Sequence, residues 1–101
     1  MHILALSLQL RKEEKISPLA AHSWAWRIQN EYPEPLRRAA EAWAQGEAVP
    51  DVDVTGITLQ QVCRRTGESV PAALELLYVM YRDPSEGRDL LARTAPRDTL
   101  L

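Results

Sequence analysis

The segment Thr58–Tyr81 constrains the fold of this chain more than any other part of it. A short amphipathic stretch ends at Gly67, and an almost wholly apolar stretch, Val70–Arg82, follows. Thr58 and Ser69 are residue types that open helices, and glycine commonly ends one. The segment therefore predicts two helices joined by a tight turn. The second helix carries apolar residues on most of its sides, so we expect it to be buried.

Start and stop signals of the same kind divide the rest of the chain into short helices. Ser17-Pro18 opens a helix that stops before Pro33, and Pro35 opens another that ends near Gly46. Asp83-Pro84 opens the last helix. We expect an all-α fold of five to six short helices, with a single domain over residues 1–93 and a loose tail over residues 94–101.

The N-terminal segment, residues 3–15, carries two conflicting signals. Leucines alternate with smaller or polar residues, which is the period of a strand. The residue types nevertheless favour a helix, and no second stretch of similar length is evident as a strand partner. We predict a helix, with a strand as the alternative. The predicted core comprises Trp24, Ile28, Leu36, Trp43, Val62, Ala73, Leu77 and Met80.

The two halves of the chain resemble each other when they are offset by 52 residues. Ala20-Ala21 then aligns with Ala72-Ala73, and each half reads as a helix, a serine-capped helix, a proline and a short helix. One interpretation is two related three-helix halves. The other, which we prefer, is that serine caps and proline stops occur in any helical chain, so the similarity does not require related halves.

Composition excludes several classes of partner. The net charge of −2 provides no general attraction to nucleic acid or to an anionic membrane. The apolar stretch His2–Leu10 is far shorter than the ~20 residues that span a bilayer, and it lacks the flanks of a signal peptide.

A single cysteine suits a reducing cytoplasm. The strong preference for arginine over lysine, with many alanines, is typical of bacteria with GC-rich genomes.

Chemical motifs are sparse. Cys63 has neither histidine nearby in sequence, so we interpret it as a small core residue. Asp51 and Asp53 resemble the start of a calcium loop, but Val62 stands where the bidentate glutamate is needed. We expect both aspartates to favour the start of a helix instead. The sequence therefore predicts no enzyme activity, no metal site and no cofactor.

The pair of helices over residues 58–77 resembles the helix-turn-helix motif, with Val62, Gly67 and Ala73 at characteristic positions. In such proteins the start of the second helix reads bases in the major groove. The residue types there, including Leu74 and Glu75, cannot make the specific base contacts. If the resemblance extends to nucleic-acid binding, the phosphate contacts would be Arg37, Arg38, Arg64 and Arg65.

Apolar residues outside the predicted stripes suggest a second function. Leu19 and Trp26 point away from the main apolar face of their helix, and Val79 lies beside the stripe of its own helix. They would form the contact face of a small protein-interaction or self-association module. The alternative for Trp26 is that the N-terminal helix covers it through Leu4, Leu6 or Leu8.

Overall fold

The computed structural model describes residues 2–54 and 56–94 and is all-α over these ranges. Within them there is no β-strand, only an isolated bridge between Asp53 and Thr58. The N-terminal segment is therefore a helix, as predicted. The helices are α1 (Ile3–Glu14), α2 (Pro18–Asn30), α3 (Glu34–Ala44), α4 (Leu59–Thr66), α5 (Val70–Arg82) and α6 (Pro84–Thr94).

The predicted capping residues form the ends of these helices. The hydroxyls of Ser17 and Ser69 accept hydrogen bonds from the backbone N–H groups three residues later, in the first turns of α2 and α5. Thr58 and Gln61 form a reciprocal capping box at α4. Gly67 ends α4 at φ 71°, a conformation that favours glycine because it has no Cβ. The two helices joined by a tight turn, α4 and α5, are therefore present as predicted.

The chain divides into two compact units, with the boundary between Pro50 and Asp51. The first unit contains α1, α2 and α3, and the second contains α4, α5 and α6. The predicted tail begins at Thr94, which the structure places at the end of α6. Residues 95–101 lie outside the described residues.

In the first unit, α1 and α2 form the most extensively packed pair of helices. The three-residue connection after α1 makes this pair an antiparallel hairpin. Leu6 and Leu10 of α1 are fully buried, as are Ala21 and Ala25 of α2. The small alanines allow close approach of the helices, and α3 adds the buried Leu36 to the core of this unit.

In the second unit, α5 packs against both α4 and α6. Seven of its residues are buried, among them Leu74 and Leu77. Gly87 allows α6 to approach α5 closely, because a Cβ at this position would lie 2.5 Å from the Cα and 2.8 Å from the Cβ of Met80. A side chain there would therefore require the backbone to move.

The predicted core is buried except for two tryptophans. Trp24 and Trp43 are only half-buried, although we expected both in the core. The indole N–H of Trp24 donates to the hydroxyl of Tyr32 over 3.3 Å. This contact keeps the polar edge of the indole in a partly polar environment, as is common for tryptophan. The smaller Ala25 and Ile28 occupy the buried side of α2.

Candidate interaction surfaces

Large apolar side chains are exposed on both helices of the α1–α2 hairpin. Leu4 and Leu8, one turn apart on α1, are 59% and 64% exposed. On α2, Leu19 is 77% exposed and Trp26 is 49% exposed. Of the five large apolar residues exposed within residues 2–54 and 56–94, these are four. We call the outer side of α2, which carries Leu19 and Trp26, the hairpin face.

The geometry of the hairpin determines where these residues lie along it. Leu4 and Leu8 lie on the same side of α1, and Leu19 and Trp26, two turns apart, lie on the same side of α2. Both pairs point away from the buried residues through which α1 and α2 pack, so each pair lies on the outer side of its own helix and the two pairs belong to different surfaces. Because the helices are antiparallel, Trp26 lies at about the level of Leu4 and Leu8 along the hairpin.

The N-terminal helix does not bury Trp26. The alternative from the sequence was that Leu4, Leu6 or Leu8 of this helix would cover the indole of Trp26. Leu6 is fully buried in the structure, whereas Leu4 and Leu8 are exposed, and half of the Trp26 surface remains open to solvent.

Val79 belongs to the second unit and has different surroundings. It is half-buried and lines a small cavity of about 310 Å³ with Arg82, Asp83 and Glu86. These neighbours are charged, so this site is not a continuous apolar surface. Tyr81, also on α5, is the fifth exposed large apolar residue, at 53%.

The candidate phosphate-binding arginines are distributed over both units. Arg37 and Arg38 lie on α3 of the first unit, where Arg38 forms an exposed ion pair with Glu34 one turn earlier. Arg37 is half-buried, and its charge acts on Glu41, also one turn away. Both arginines thus have acidic neighbours on their own helix.

Arg64 and Arg65 lie on α4 in the second unit and have a different environment. Both are exposed and line an open cavity of about 410 Å³ together with Gly56, Ile57 and Gln61. Within the part of the chain that the structure describes, neither arginine forms an ion pair. Their guanidinium groups are therefore available to a ligand.

A second cavity, of about 350 Å³, continues from the first. It shares Gly56, Ile57 and Arg65 with it and is also lined by Arg88 of α6. Its remaining described lining is Met80, Pro84, Leu91 and Ala92. We call the two cavities together the arginine groove. Sequence analysis identified Arg64 and Arg65 but missed Arg88, because nothing in the local pattern of α6 links it to α4.

Of the base-reading positions of a helix-turn-helix motif, only Ser69 is exposed here. Pro71 and Leu74, at the start of α5, are buried, and Val70 and Glu75 are half-buried. A recognition helix must expose its first turns to enter the major groove. The corner in this chain instead positions α4 and α5 for packing.

The Cys63 thiol is half-buried, and the carboxylates of Asp51 and Asp53 accept backbone hydrogen bonds. Burial, together with the charge of Asp51, raises the pKa of the Cys63 thiol, which favours the protonated and less nucleophilic form. Asp51 accepts a hydrogen bond from the Gln60 N–H over 2.9 Å, as expected for an acidic residue at a helix start. Asp53 accepts from the Gly56 N–H over 2.7 Å and so stabilises the preceding turn.

None of the helices within residues 2–54 and 56–94 combines the length and apolar character required to cross a bilayer. Comparison with known proteins found no match to this chain among protein-family models, curated proteins or solved structures.

Proposed function

We propose that this protein is a small self-association module in which two copies pair through the hairpin face. The observation that carries the proposal is the exposure of Leu19 and Trp26 on the outer side of α2, which with α1 forms the most extensively packed pair of helices in the first unit. Each of these helices is apolar on two sides, one of which is already used within the unit. A helix with apolar residues on two sides is typically covered on both.

The size of the surface is compatible with a specific interface. Such interfaces bury at least about 1,000 Å² in total, or about 500 Å² on each partner. The outer side of α2, with Leu19 and Trp26 two turns apart, would have to supply this area together with its polar neighbours. Trp26 has the properties of an interface anchor, because tryptophan is enriched among the residues that dominate binding energy.

The shape of the surface favours a second copy as the partner. A two-fold axis would pair the hairpin face with itself, so that each apolar side chain meets an identical surface. Two antiparallel hairpins packed in this way form a four-helix arrangement, a common solution for helices with a second apolar side. We propose the cytoplasm as the compartment, since a single cysteine suits reducing conditions.

Sedimentation equilibrium over a range of protein concentrations tests the proposal. We expect the unmodified chain to form a dimer that dissociates on dilution. The double variant Leu19→Ser/Trp26→Ser should weaken dimerisation by at least about 100-fold, since a two-fold dimer loses four side chains and each contributes upward of about 0.7 kcal/mol. Tyr81→Ser, which removes an exposed apolar residue from the second unit, serves as the matched control and should leave the dimer unchanged.

A chain that stays monomeric at all concentrations would contradict self-association and leave a different protein as the partner of this face. An unchanged dimer in the double variant would place the interface elsewhere. For Trp26→Ala alone, a large loss of stability with no change in oligomeric state would identify this residue as structural.

Nucleic-acid binding through Arg37, Arg38, Arg64 and Arg65 has less support. Arg38 is paired with Glu34, and the start of α5 is largely buried. Binding to heparin or random DNA at low salt tests this function. Retention that falls steeply with added salt would favour it, because phosphate binding releases counterions.

A further inference from the structure

We infer that the arginine groove of the second unit binds a short acidic segment of a partner protein, one that also carries an apolar side chain. Three arginines from two helices line the groove, namely Arg64, Arg65 and Arg88. Among the described residues that line it, none is acidic. This local charge contrasts with the net charge of −2 for the chain, so the groove is a site of positive potential on a protein that is acidic overall.

The three guanidinium groups lie on exposed side chains at the groove. All three side chains are exposed, and none forms an ion pair within residues 2–54 and 56–94. The carboxylates of Asp51 and Asp53, which precede Gly56 in the chain, accept hydrogen bonds from the backbone N–H groups of Gln60 and Gly56. Arginine binds carboxylates through two parallel hydrogen bonds, which makes a carboxylate a well-matched ligand.

The apolar part of the groove indicates that the ligand is more than an isolated anion. Ile57 is half-buried, while Met80 and Leu91 are buried beneath the opening, so an aliphatic surface lies beside Arg65 and Arg88. An apolar side chain of a ligand would displace water from this surface and gain burial energy. Glutamate or aspartate residues flanking that side chain would reach the guanidinium groups.

The same surface favours a peptide over a nucleic acid. Single-stranded nucleic acids bind by stacking bases on aromatic side chains, and duplexes need an extended basic surface. The described lining of the groove contains no aromatic residue. Three arginines on an otherwise acidic chain also provide little attraction to a polyanion.

Fluorescence anisotropy with a defined probe tests this inference. The probe is a short labelled peptide of alternating glutamate and leucine. One control peptide replaces every glutamate with glutamine, and a second replaces every leucine with serine. We expect micromolar binding of the probe, and each control should bind at least about fivefold more weakly, because each lacks one of the two kinds of contact.

Protein variants locate the site. Arg65→Gln and Arg88→Gln should each weaken binding of the probe by about five- to tenfold, the loss expected for one charge-assisted contact at an exposed site. Arg93→Gln is the matched control, because Arg93 is an exposed arginine on the same helix as Arg88 but does not line the groove. It should change affinity by less than about twofold. Circular dichroism confirms that the variants retain their helices.

Several outcomes would overturn the inference. Absence of binding at millimolar protein would exclude it, and equal weakening by Arg93→Gln would identify a general charge effect. Equal binding of the leucine-free peptide, with displacement by inorganic phosphate, would indicate an anion site only. Tighter binding of a DNA oligonucleotide that displaces the probe would assign the groove to nucleic acid. The Leu19→Ser/Trp26→Ser variant should still bind the probe, so the inference can fail or hold independently of self-association.

Discussion

In the first unit, α2 buries two alanines while two of its large apolar side chains remain exposed. Ala21 and Ala25 are fully buried, whereas Leu19 and Trp26 on the same helix are exposed. The second unit has the reverse arrangement. Its most apolar helix, α5, packs against α4 and α6 and buries Leu74 and Leu77, and its open groove is lined by arginines.

This difference shows that apolar content alone does not determine whether a helix is buried on all its apolar sides. Both α2 and α5 open with a serine cap and a proline, and both carry apolar residues on more than one side. The neighbouring helices decide the outcome. In α5 they cover most of the apolar surface, whereas in α2 one apolar side remains exposed.

The largest expected effect contrasts one leucine from each unit. Leu77→Ala removes a fully buried side chain and should lower the free energy of unfolding by about 3 kcal/mol, through lost burial and the cavity that remains. Leu19→Ala removes a side chain that is 77% exposed and should change it by less than about 0.5 kcal/mol in dilute protein. Urea denaturation measures both values, and similar losses in the two variants would break the comparison.

A second prediction concerns the close approach of α6 to α5. Gly87→Ala places a Cβ against the backbone of Met80 and should lower the free energy of unfolding by about 2 kcal/mol, despite the better helix propensity of alanine. Ser85→Ala, an exposed change on the same helix, is the control and should be within about 0.5 kcal/mol of the unmodified chain. If Gly87→Ala is stabilising, the two helices are not as close as the structure indicates.

The smallest expected effect is one that the two units share. Ser17→Ala and Ser69→Ala each remove a helix cap with the same hydrogen bond, to the backbone N–H three residues later. Each should cost about 1 kcal/mol in urea denaturation. A much larger loss for one cap would show that it does more than satisfy an N–H group.

The sequence predicts the helices of this chain well because their ends depend on local chemistry. Capping residues such as Thr58 and Ser69, and the glycine at position 67, act through neighbours only a few residues away. The N-terminal segment was ambiguous because alternating leucines also fit a strand. In the structure, Leu6 and Leu10 are buried and Leu4 and Leu8 are exposed. The two members of each pair are four residues apart, which is the spacing of residues on one face of a helix.

The surfaces were harder to predict because they depend on tertiary packing. The sequence identified Leu19 and Trp26 as lying outside the main stripe, but Leu4 and Leu8 became candidates only once α1 was seen to bury Leu6 and Leu10. The arginine groove combines residues from a loop and three helices. No local pattern links residues so far apart in sequence, so the groove could not be found from spacing alone.

Methyl NMR of leucine-labelled protein over a concentration series tests the contrast between the two units most directly. We predict that the methyl signals of Leu19 shift as concentration rises, while those of Leu74 and Leu77 do not. Signals that are all independent of concentration, or that change only at Leu74 and Leu77, would contradict the account.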